Sequence, residues 1–205
     1  MTDSGKLDRR KLFVGTTYAP KQMAGAQKPG GSLIQFLLAP PLLMMFLFYL
    51  GSTLAGNGIQ SFGNSALIAL YDLDIVQANT ALAVYLWGTT IGVLTGGLVA
   101  DRFKRFDLCA TIGYFGSAAA LCFIGFAAVP FIGIMPAFFV AGFMIGAVMP
   151  ARDLAVRAVA PAGGIGKAFG FVSSAFGVGG FVAPLFYGTM MDFKLPQLVF
   201  FVSAA

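Results

Sequence analysis

Apolar runs long enough to cross a bilayer alternate along this chain with short polar connections, most of them basic. About 20 consecutive apolar residues carry a helix across the hydrocarbon core, and such runs fall at residues 34–57, 77–100, 108–129, 131–150 and 168–190. The first is able to continue as helix towards residue 69, and a sixth opens at about residue 196. That last run, PQLVFFVSAA, covers about half of a crossing by Ala205, so it is either cut short there or completed by something else. The pattern predicts an all-α integral membrane protein with five complete transmembrane helices and the start of a sixth.

Residues 1–32 read as a solvated basic tail with Lys6, Arg9, Arg10, Lys11, Lys21 and Lys28, and residues 33–205 as the transmembrane region. A signal peptide places its apolar core directly after the first charges, whereas this chain turns polar again at TTYAPKQ. Asp3 and Asp8 speak against a transit peptide.

Composition narrows the function classes. Hydrophobic residues make up 58% of the chain and charged ones 10%, with a mean hydropathy of +0.85, which belongs to polytopic membrane proteins and outside the soluble range. The net charge of +5 sits in clusters between apolar runs and builds no basic groove, so nucleic acid is not an expected partner. Cys109 and Cys122 stand alone and histidine is absent, so neither a metal centre nor a disulfide framework is expected. Within the spans no nucleophile, metal cluster or carboxylate pair suggests an enzyme, and no Walker loop implies ATP, so no cofactor is expected.

The charges also orient the chain. With a cytoplasmic N-terminus, alternate connections place Arg102, Lys104, Arg105, Arg152, Arg157 and Lys167 with the tail, leaving only Lys194 opposite, so twelve of the thirteen Lys and Arg face one side. The positive-inside rule assigns that side to the cytoplasm of a plasma membrane, of the bacterial inner-membrane kind. No charged residue is expected in the middle of a span, so a proton-coupling group would lie outside this chain.

The connection GGLVADRFKR, residues 96–105, holds one acid and three bases. Gly97 suits a close helix approach, Asp101 a helix-start hydrogen bond, and the bases a headgroup contact, but the acid is costly at an apolar boundary without a partner. This stretch resembles the loop motif of the major facilitator superfamily, G-x-L-A-D-R-x-G-R-K, through Gly97, Ala100, Asp101, Arg102 and Arg105; Lys104 and Phe106 depart from it. The later block PARDLAVRAVAPAGGIGKAFGFVSSAFGVGGFVAPLFYGTMMD, residues 150–192, is similar to the same family, with Arg152 and Arg157, a Pro/Gly turn with Lys167, then Gly177, Gly180 and Pro184. Its wording resembles the C-terminal six-helix half of the fold.

The resemblance implies one bundle of a two-bundle transporter with its substrate site between bundles. It assigns Gly97, Asp101, Arg102 and Arg105 to a cytoplasmic gate, with Arg152 or Arg157 as ionic partner. It also implies that the first span lines a central cavity. On that span Asn57, Gln60 and Asn64, spaced i, i+3 and i+7, share one helical face. They either contact solute, hydrogen-bond other helices, or emerge into solvent. Tyr85, Trp87, Ser173, Ser174 and Tyr187 are further candidates, each also readable as an interfacial aromatic or a packing hydroxyl. Gly88, Gly92 and Gly96 form a small-residue ladder for close helix packing, with shorter versions at Gly142–Gly146 and Gly166–Gly170, and Pro184 between Gly180 and Gly188 suggests a hinge.

The resulting expectation is half of a secondary active transporter of a small solute, working by alternating access in a lipid bilayer with a second six-helix half or as a homodimer. The alternative is a transport-incompetent fragment that acts as a membrane interaction partner.

Overall fold

A computed structural model describes residues 39–103, 106–126, 129–160 and 163–204, without the side chains of residues 100–107. The basic tail at residues 1–32 and Arg105 of the loop motif lie outside the described residues. Among those described, the chain forms seven α-helices and one π-helical turn, with no strand.

Helix α1 (Pro40–Asn57) opens on two prolines, which occupy the first turn where no intrahelical N–H bond is lost. It runs through the π turn Gly58–Phe62 into α2 (Gly63–Tyr71). Asp72 closes α2 at φ 50°, in the left-handed region that Asp tolerates better than most residues. Five more helices follow: α3 (Ile75–Phe103), α4 (Phe106–Gly125), α5 (Phe131–Val159), α6 (Ile165–Asp192) and the short α7 (Gln197–Ala204). Five stretches are long and apolar enough to cross a membrane: Pro40–Tyr71, Ile75–Val99, Leu108–Gly125, Phe131–Val159 and Ile165–Asp192.

One boundary departs from the sequence pattern. The fourth span, expected at 131–150, continues through Pro150 to Val159. A proline removes one intrahelical bond, but Ala151, Arg152 and Val156 beyond it are buried, and that packing carries the helix past the break. Arg152 therefore lies inside the span and not in the connection after it.

The tightest packing joins α3 to α5. A Cβ on Gly88, Gly92 or Gly96 would stand 2.5, 2.2 or 2.4 Å from the carbonyl oxygens of Phe139, Phe143 and Ala147. Across the same seam, a Cβ on Gly142 or Gly146 would stand 2.1 or 2.2 Å from the carbonyls of Tyr85 and Thr89. Small residues every fourth position on both helices bring backbone against backbone, the close approach that associates helices where lipid offers no hydrophobic driving force. Gly166 and Gly170 meet no atom within 4 Å among the described residues; their spacing matches the ladder, but no described helix packs against them.

Two apolar clusters hold the bundle. One gathers Ile59, Leu67, Tyr85, Ile124, Phe138, Tyr187 and Phe200 from α2 to α7 and the π turn. The other, nearer the end where α1 begins and α5 finishes, gathers Leu42, Tyr49, Val156, Ala168, Val172 and Ala175. Outward-facing Trp87, Leu94, Leu98, Phe115, Phe181 and Leu185 are exposed, as expected of helices surrounded by lipid or a further bundle.

Candidate functional site

Where the two clusters meet, polar side chains of four helices converge. The guanidinium of Arg152, at 9% exposure, lies 4.1 Å from the ring centre of Tyr49 and 5.6 Å from that of Phe176. Both rings offer a cation–π face. Its Nη1 donates to Ser52 Oγ at 3.3 Å, and Ser52 shares a 2.9 Å hydrogen bond with the Tyr114 hydroxyl. The Tyr49 hydroxyl donates to Asp153 Oδ1 at 2.6 Å. That same oxygen stands 3.8 Å from Arg152 Nε, too far for a hydrogen bond, and Nε is buried with no hydrogen-bond partner among the described residues.

A cavity of about 130 Å³ opens on this network. Its walls include Thr53, Asn57 and Gln60 of α1 and the π turn, Tyr85 and Thr89 of α3, and Arg152 of α5. Thr53 and Thr89 donate their hydroxyls back to the carbonyls of Tyr49 and Tyr85. A larger, mostly apolar cavity of about 440 Å³ lies beside it, between α1, α4, α6 and α7, and touches Ser52 and Tyr114 as well. Arg152 is seven residues short of the end of α5, about 10 Å along the helix at a rise of about 1.5 Å per residue.

The candidates read from the sequence divide. Asn57 and Gln60 line the small cavity, together with the buried Tyr85. Asn64 does not; its amide donates to Asn79 at the start of α3. The π turn explains the split, because its wider winding adds a residue to the turn and rotates everything after Phe62 away from the face that Asn57 occupies. Tyr187 sits in the core, hydrogen-bonded to Ser203 at 3.1 Å. Trp87 is 68% exposed, and Ser173 and Ser174 lie on the exposed face of α6.

Of the loop motif, Asp101 and Arg102 lie in the last turn of α3. Gly97 meets no atom within 4 Å; the close approach expected of it belongs to its neighbour Gly96. Arg157 is exposed in the last turn of α5, while Arg152, paired with it as a gate residue by sequence, is buried in the polar network. Gly177 and Gly180 meet no atom within 4 Å among the described residues, and α6 continues unbroken through Pro184.

Arg152 and Asp153, expected in the connection after the fourth span, lie in the last third of α5. The apolar run ends at Pro150, whereas the helix continues past it to Val159. Tyr49, Ser52, Thr53 and Thr89 were missed, although the spacing of Tyr49, Ser52, Thr53, Gly56, Asn57 and Gln60 marks one polar stripe on the first span.

The described residues form one helical bundle, and the family model of the Major Facilitator Superfamily matches residues 33–205. The chain belongs to the Major Facilitator Superfamily. It is a multi-pass membrane transporter of that kind, in contact with the lipid bilayer, and its five membrane-length helices with the beginning of a sixth correspond to one six-helix half of the superfamily fold. No curated protein and no solved structure matches the chain.

Proposed function

We propose that this superfamily member is one half, the C-terminal one by the wording of residues 150–192, of a secondary active transporter that moves a small solute by alternating access. The observation that carries the reading is the small cavity, in which Asn57 and Gln60 have no hydrogen-bond partner among the described residues. Uncommitted amides are expensive against lipid and useful against a solute. The concentration of Lys and Arg at one end of the bundle supports a cytoplasmic N-terminus in a plasma membrane, with residues 1–32 as a tail or inter-half linker and Asp101, Arg102 and Arg105 as half of a cytoplasmic latch.

The test is access to the cavity from both sides. With Cys109 and Cys122 replaced by serine, Gln60→Cys in sealed proteoliposomes is expected to react with a membrane-impermeant thiol reagent added to either side. Labelling from one side alone, or from neither, would sink alternating access.

A bundle of this kind works against a second one, and one face of α6 suits such a neighbour. Gly166, Gly170, Gly177 and Gly180 meet nothing within 4 Å, and with exposed Ser173 and Pro184 they line a single helical stripe at alternating steps of four and three residues. The double change Gly177→Leu and Gly180→Leu is expected to leave the chain's own unfolding free energy unchanged or raised by up to about 2 kcal/mol, since the new side chains touch nothing and glycine is the poorer helix former. It should abolish the paired species, a homodimer or a complex with a second half, in native mass spectrometry. A paired mass that survives the change rules out this face as the interface.

A further inference from the structure

The chemistry of the cavity wall goes a step beyond transport and selects a class of solute, on the reading of that cavity as the transport site. Arg152 is nine-tenths buried within the bundle, on a helix long and apolar enough to cross a membrane, and an unsatisfied charged donor so buried carries a large desolvation penalty. A guanidinium has five N–H donors. Among the described residues one of these, on Nη1, reaches an acceptor, the Ser52 hydroxyl, at a long 3.3 Å. The buried Nε has none. The neighbouring carboxylate does not substitute for a ligand: Asp153 is 53% exposed on its side chain, its Oδ1 is 3.8 Å from Nε and already accepts from Tyr49, and it is no part of the cavity wall.

The other free groups point the same way. The amides of Asn57 and Gln60 and the hydroxyl of Tyr85 are without partners among the described residues, and each is able to donate. Thr53 and Thr89 have already spent their protons on backbone carbonyls. A cation entering this space meets a guanidinium and no carboxylate. An anion meets a guanidinium set beside the rings of Tyr49 and Phe176, and three uncommitted donors. The cavity, of about 130 Å³, has room for a small solute.

We propose that this cavity binds a small oxyanion, of the phosphate or short-chain carboxylate class, through the Arg152 guanidinium, with Asn57, Gln60 and Tyr85 donating to its remaining oxygens. The same chemistry belongs to a free solute and to the headgroup of an anionic lipid.

The experiment uses the full chain in phosphatidylcholine nanodiscs, titrated with inorganic phosphate and with succinate, and with glucose and choline as neutral and cationic probes. Phosphate or succinate should raise the unfolding midpoint saturably, and glucose and choline should not. Arg152→Lys keeps the charge and loses the planar fork, and should weaken anion binding by about tenfold or more, as expected for loss of a charge-assisted hydrogen bond. Should the Arg152 variants fail to fold, Asn57→Ala and Gln60→Ala carry the test, each lowering anion affinity while the far-ultraviolet spectrum stays that of the wild type.

Equal anion affinity in the folded variants, a response to glucose or choline as strong as to the anions, or no response of the wild type to either anion overturns the proposal. Native mass spectrometry from nanodiscs containing phosphatidylglycerol distinguishes the sources. Phosphatidylglycerol retained by the wild type and lost from Arg152→Lys identifies a headgroup site, whereas phosphate binding without such retention identifies a free solute. Anion binding without two-sided labelling of Gln60→Cys would leave this site standing and remove the transporter reading. Two-sided labelling with indifference to anions would do the reverse.

Discussion

Gly92→Leu is expected to leave no stably folded chain in the membrane, and Gly92→Ala to destabilise it by about 1–3 kcal/mol, the range for forcing a methyl group into a packed interface. Even the Cβ of alanine would stand 2.2 Å from the carbonyl oxygen of Phe143 and 3.0 Å from the amide nitrogen of Ala147. Both are backbone atoms of α5, so relief requires the whole helix to withdraw. Withdrawal would also open the contacts at Gly88, Gly96, Gly142 and Gly146, which share the seam. Gly97→Ala is the control on the same helix. It meets no atom within 4 Å and should be neutral or stabilise by up to about 1 kcal/mol, because alanine loses less backbone entropy than glycine on forming helix. Thermal or denaturant unfolding in detergent reads both. Equal midpoints for Gly92→Ala and the wild type would show that the seam does not hold the bundle.

Gly58→Ala should have an effect of similar size by a different route. Its Cβ would fall 2.3 Å from Tyr187 Cζ, 2.5 Å from Ser203 Oγ and 2.6 Å from the Tyr187 hydroxyl oxygen. Tyr187 has no room to swing aside, since it is fully buried and stacks on Phe62 at 6.1 Å. The expected cost is about 1–3 kcal/mol, together with loss of the Tyr187–Ser203 hydrogen bond and displacement of the π turn. Because Asn57 and Gln60 flank Gly58, the cavity should be disturbed as well. The diagnostic measurement is a double-mutant cycle with Tyr187→Ala. Removing the ring removes the clash, so the double variant should be less destabilised than the sum of the singles by about 1–3 kcal/mol, within the range for residues in contact. Strict additivity would mean that Gly58 and Tyr187 are not in contact.

These two glycines show how unevenly the structure was legible beforehand. The ladder through Gly92 is a spacing, and spacing is visible in a sequence; its partner seam at Gly142 and Gly146 was visible too. Which ladders find a partner was not. Gly166–Gly170 has the same pattern as Gly142–Gly146, yet among the described residues it meets nothing, where the other faces α3. Gly58 carries no pattern of its own. It is needed because the ring of Tyr187, 129 positions later in the chain, arrives against it.

The site follows the same division. Asn57 and Gln60 were readable as polar groups on an apolar helix, and they line the cavity. Asn64 fitted the same periodicity but turns elsewhere, because a π turn between Gly58 and Phe62 breaks the phase that a regular helix would have kept. The apolar run ends at Pro150, so the sequence pattern places Arg152 in a cytoplasmic connection. In the folded chain the buried face of Ala151, Arg152 and Val156 outweighs the lost hydrogen bond, and the guanidinium ends beside Tyr49 and Ser52, each about 100 positions distant in the chain.

By itself the sequence determined the membrane character, the number and order of the spans and the family, because these depend on apolar runs of bilayer length and on local motifs, each contained within a short stretch. Only the tertiary structure decided which small-residue faces meet, where the helix phase slips, and that an arginine of α5 stands inside the bundle with a free donor. Those outcomes depend on which side chains from distant segments compete for the same volume, and no local pattern records that competition.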